Sequence, residues 1–112
     1  MGKTGTGLSD SERDNMVDWL QRMEEVSQLT YSCTEDEAMR AYQDGCALAY
    51  GDMREDFRGD GKVVRALQDR IAQADRMLTK AWSQEETDTC RGRLQAIQYV
   101  MDMVLATYGP NV

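Results

Sequence analysis

Apolar residues recur along this chain at alternating steps of three and four. Cys90, Leu94, Ile97, Met101, Val104 and Tyr108 form one such row, and Val64, Leu67, Ile71, Ala74, Leu78 and Ala81 form another. Those steps keep one side of an α-helix apolar. Held this narrow, they make the seam of coiled-coil-like packing. Met16, Trp19, Leu20, Met23 and Val26 mark a further helix, and Met39, Tyr42, Cys46, Ala49, Met53 and Phe57 another. No useful length of chain alternates with the period of two that a half-buried strand needs.

Start and stop signals bound these stripes. Ser9-Asp10-Ser11-Glu12 spells a capping box, and Thr34-Glu35-Asp36-Glu37 and Ser83-Gln84-Glu85-Glu86 repeat it. In each a hydroxyl accepts from the N3 amide, and the acids sit where the helix dipole favours them. Asp60, in Arg58-Gly59-Asp60-Gly61, is the remaining candidate cap, and Tyr108-Gly109-Pro110 is a glycine stop followed by the chain's one proline. The pattern predicts helices over 10–29, 35–57, 61–82 and 84–108. Connections this short make sequence neighbours antiparallel. The expected fold is therefore all-α: a small antiparallel bundle of about four helices, formed by residues 9–112 behind a flexible tail, 1–8.

Two places strain that reading. Trp82-Ser83 leaves almost no loop, so the third and fourth helices either fray into a turn or form one bent helix. Gly45 and Gly51 fall inside the second helix, where each costs up to about 1 kcal/mol against alanine. The row Ala38, Ala41, Gly45, Ala49 suggests a face that another backbone approaches closely; a break near Gly51 is the alternative. The fourth helix also carries Tyr99, Val100, Met103 and Leu105 beside or opposite its main stripe. Apolar on so many sides, it is either central in the bundle or buries a second face on another chain. A homodimer through these four residues is the expectation.

Composition narrows the chemistry. The chain has no histidine, which removes the commonest general base and the Ser-His and Cys-His nucleophile schemes. Cys33, Cys46 and Cys90 lack the paired spacing of a zinc site or a disulfide framework. Cys46 and Cys90 fall on apolar stripes. The opening Met1-Gly2-Lys3-Thr4 resembles a phosphate loop only in composition: the pattern's first glycine has no position to occupy. No apolar run approaches the length of a membrane span. These features fit a cytoplasmic protein, or the host cytoplasm if the gene is carried by a phage.

Charge is the remaining signal. Thirteen bases against twenty acids leave a net charge of −7. Residues 35–60 hold eight acids and three bases, whereas residues 61–83 hold five bases and two acids. Direct nucleic-acid binding is disfavoured, because affinity there comes from Lys and Arg on phosphates. A basic protein surface is the better match. Glu35, Asp36, Glu37, Asp44, Asp52, Glu55 and Asp56 are the carboxylates that stand in for phosphates on this reading. Trp82, at a helix end, is the aromatic expected to reach a partner.

The expected function is a non-enzymatic acidic helical interaction module, with no catalytic residue, metal or cofactor. It binds and blocks a basic, nucleic-acid-binding surface of a partner protein, as a phage-type inhibitor of a defence system does. Two alternatives stand beside it. One is a metal-dependent all-α nucleotide hydrolase using carboxylates between helices, from Glu24-Glu25, Glu35, Glu37, Asp52, Glu55 and Asp56. The other is a structural subunit or assembly chaperone that uses the apolar breadth of the fourth helix.

Overall fold

The computed structural model describes residues 7–59 and 61–112, and four helices account for most of those residues: α1 Asp10–Cys33, α2 Glu37–Arg58, α3 Val63–Lys80 and α4 Gln84–Tyr108. There is no strand among the described residues. The fold is the small all-α bundle that the stripes predict.

The caps explain the boundaries. Ser9 accepts from the Glu12 amide while Glu12 accepts from the Ser9 amide at 2.8 Å, a complete capping box. Ser83 accepts from the Glu86 amide, but the Glu86 carboxylate turns to the Trp82 amide, so that box is half made. The middle box is not used. α1 runs on to Cys33, with Thr34 as its C-cap, and Asp36 stands at the N-cap of α2 without a side-chain bond. Hydroxyls of Thr30 and Ser32 bond back to carbonyls one turn earlier, which lets these polar residues stay helical. The Asp60 cap lies outside the described residues. α2 passes unbroken through Gly45 and Gly51, and Ala81–Ser83 form a real turn, so α3 and α4 are separate helices.

Directions follow from the cross-helix contacts. Arg13, near the start of α1, donates to carbonyls of Phe57, Gly59 and Gly61 at the far end of α2. Midway, Arg54 pairs with Glu24, and at the other end Arg40 lies 4.6 Å over the Tyr31 ring. α1 and α2 are therefore antiparallel. The Val64 amide donates to the Val112 carbonyl at 3.3 Å, which sets the start of α3 beside the end of α4. α2 and α4 then run the same way.

This parallel pair approaches closely. A Cβ on Gly45 would overlap the Thr89 carbonyl, and one on Gly92 would overlap the Tyr42 carbonyl. The two helices meet backbone to backbone, and Cys46 Sγ donates to the Gly92 carbonyl at 3.3 Å. In a square up-down bundle the second and fourth helices face each other across a diagonal. Here that diagonal has collapsed. α1 lies against α2, α3 lies against α4, and α2 and α3 scarcely touch. Acidic α2 and basic α3, neighbours in sequence, therefore do not lie side by side along most of their length. Among the described residues, Arg70 makes the hydrogen bonds and ion pairs across the gap, forking onto Asp56 at 2.9 and 3.1 Å with Asp52 at 3.7 Å.

The core fills the two grooves beside this contact. Phe57, Met53, Leu20, Leu67, Val63, Val100 and Val104 are buried, and Leu8 joins them. Leu8 thus belongs to the folded unit rather than to a tail. Val26 and Met39, assigned to core stripes from their spacing, are exposed because each lies on the outward edge of its helix.

Two substitutions test this account. Gly92→Ala forces the α2 and α4 backbones apart and is expected to cost at least about 3 kcal/mol, whereas Gly51→Ala, which meets only the flexible end of Glu24, stays within about 1 kcal/mol of the parent. Urea unfolding followed by circular dichroism measures both, and equal effects would refute the crossing. Arg13→Met strips three carbonyls of their donor and is expected to lose about 2–4 kcal/mol in the same measurement.

Candidate functional site

Because α2 and α4 run in parallel, their N-termini emerge at one end of the bundle. The C-termini of α1 and α3 come up beside them. Between these ends lies an open groove of about 1280 Å³. α2 contributes Asp36, Glu37, Arg40 and Asp44 to its lining, and α4 contributes Glu85, Glu86, Asp88 and Arg93. Met77, Lys80 and Trp82 close it from α3 and the turn, with Tyr31 at the end of α1. Six carboxylates thus stand against three cations. Arg93 is already engaged with Asp52 at 3.2 Å, and Arg40 is stacked on Tyr31.

Trp82 is the most exposed large apolar side chain described, at 86%. Its position has a local cause. The turn Ala81–Ser83 is extended in backbone, Ser83 caps α4, and the Trp82 amide reaches the Glu86 carboxylate at 3.4 Å. The indole, in the turn and in neither helix, stays outside the packed core and stands at the rim of the end groove.

The predicted carboxylate row divides in two. Asp36, Glu37 and Asp44 line the groove, and Glu35 is exposed in the turn just before α2. Asp52, Glu55 and Asp56 lie further along α2 and are held by arginines: Asp52 by Arg93 and Arg70, Asp56 by Arg70, and Glu55 by Arg58 one turn on at 2.6 Å. The Arg70 guanidinium, pushed up in pKa by its hydrogen bonds to Asp56, is a structural tie. Three groove acids, Glu85, Glu86 and Asp88, were not among the predicted set. In the sequence Glu85 and Glu86 read as dipole-favoured residues of a first turn, and only the parallel course of α2 and α4 reveals that the N-terminal parts of both helices face one cavity.

The residues expected at a dimer interface do not form one patch. Val100 is wholly buried in the chain's own core, and Met103 packs partly against it, because α4 is the central helix. Tyr99 at 48% and Leu105 at 40% remain exposed. Six residues apart, they point about 120° away from each other on a helix. Tyr99 also stacks on Trp19 of α1, with ring centroids 5.9 Å apart. The apolar breadth of α4 is thereby largely used within the chain.

No group of three metal-ligating side chains comes together among the described residues. Of the carboxylates named for the hydrolase alternative, Glu24, Asp52 and Asp56 are paired with Arg54, Arg93 and Arg70. No protein-family model, curated protein or solved structure matches this chain.

The buried thiol is also committed. Desolvation by burial pushes Cys46 from 9.0 up to about 11, and it pushes Tyr50 from 10.0 to about 12 with the neighbouring titratable groups Cys46, Tyr99 and Tyr42 adding to the rise. The folded chain keeps both protons where an unfolded chain releases them. The contribution of Cys46 to stability is therefore level below pH 9 and declines across the interval from 9.0 to about 11. At pH 8 a maleimide is expected to modify the exposed Cys33 and spare Cys46 and Cys90 until urea is added. Mass spectrometry of the intact protein counts the adducts, and more than one before unfolding would contradict the burial.

Proposed function

We propose that this protein is an acidic helical interaction module that seats on a basic surface of another protein and keeps nucleic acid from it. The observation that carries this reading is the end groove. It gathers six carboxylates from the N-terminal parts of α2 and α4 around an exposed indole. Carboxylates paired within the fold, such as Asp52 and Asp56, contribute to its stability and are only partly available to a partner. Those at the groove mouth, with Glu35 beside them, remain free to meet lysines and arginines. The net charge of −7 adds a long-range attraction for a basic partner and repels nucleic acid itself. A surface of this kind competes with phosphates by offering negative charge on a rigid scaffold. A cell-internal setting, argued from cysteines without paired spacing, and a phage-type inhibitory role, argued by analogy from small size and negative charge, belong to this proposal.

The experiment is capture from an extract of the source cell, at low salt and at 1 M salt, where the screening length falls to about 3 Å. The expected catch is a basic nucleic-acid-binding protein that is released by salt and displaced by DNA. A triple reversal, Glu37→Lys with Asp44→Lys and Glu85→Lys, is expected to abolish capture without changing the helical spectrum. Retention that survives both salt and reversal would sink the electrostatic reading.

A further inference from the structure

An indole left 86% exposed beside a row of carboxylates is chemically selective as well as acidic. Lysine and arginine respond to negative charge alike, but they respond to an aromatic face differently. A guanidinium is planar and weakly hydrated, so it stacks on an indole and still forks its edge onto a carboxylate. An ammonium, compact and strongly hydrated, gains less from the ring. Trp82 offers the ring, and Glu86 offers the carboxylate, held nearby by its contact with the Trp82 amide at 3.4 Å. The groove already contains one pairing of this kind: Arg40 lies 4.6 Å over Tyr31 on the opposite side. At about 1280 Å³ the groove is far larger than one side chain and has room for a short segment of chain.

Resting on the basic-partner reading above, we infer that this groove is an arginine-selective docking site. Its occupant is an arginine-bearing segment of the partner, one guanidinium of which stacks on Trp82 while its edge meets Glu86. Asp36, Glu37 and Asp44 across the groove receive the neighbouring cations of that segment.

The test titrates oligo-arginine and oligo-lysine peptides of equal length into the ¹⁵N-labelled protein. Affinities come from calorimetry, and the two indole N–H signals are followed by NMR. The arginine peptide is expected to bind about fivefold more tightly and to shift the Trp82 indole signal while leaving that of Trp19 in place. Trp82→Ala is expected to bring the two peptides to equal affinity. Because the side chain lies outside the core, this variant keeps its fold, which circular dichroism verifies. Trp82→Phe restores part of the preference. If both peptides bind equally to the parent, or if Trp82→Ala keeps the preference, the arginine site is wrong and the basic-partner reading stands. If neither peptide binds at low salt, both fall together.

Discussion

The contact between Gly45 and Gly92 sets the geometry from which the rest follows. With no Cβ on either side, α2 and α4 approach until each backbone touches the other's carbonyl. Two helices that loops of a few residues would place across a diagonal instead form the centre of the molecule. The flanking helices take the hollows on either side, and apolar side chains at regular steps fill them. The cost of glycine in a helix is offset by this closeness, because the small residues admit both dispersion contact along the crossing and the Cys46–Gly92 hydrogen bond.

That arrangement also distributes the charge. Acids along the C-terminal half of α2 lie within reach of arginines from α3 and α4, so they become ties. Acids at the N-terminal ends of α2 and α4 have few such neighbours and face an open groove. The same residue type thus plays two roles in one helix, and position relative to the crossing decides which. Arg70 illustrates the first role: it reaches across a gap that the backbones of α2 and α3 do not close.

Much of the fold was legible in the residues themselves. The stripes located four helices, and Ser9 and Ser83 marked starts through hydrogen bonds that are local and so readable from spacing. Thr34 misled because a cap pattern also occurs where a preceding helix keeps its own bonds through Thr30 and Ser32. The small-residue row containing Gly45 announced a close approach, but its partner Gly92 sits in a stretch read only for its apolar seam. The groove was half legible. Trp82 was recognised from its place at a turn, and Asp36, Glu37 and Asp44 from their density. Glu85, Glu86 and Asp88 were not, since facing across a cavity depends on helix direction and nothing within either segment encodes it. Val100 was misassigned because a helix apolar on many sides is central as readily as it is intermolecular, and spacing alone does not separate the two.

The bundle is unlike at its two poles. At one, the Arg13 guanidinium gathers the carbonyls that close α2, and Leu8, Val63 and Val112 seal the interior. At the other, helix ends stand apart around solvent. Residues at the open pole can therefore drift without disturbing the sealed one. Substitutions around the open groove thus cost little of the packing that keeps the chain folded.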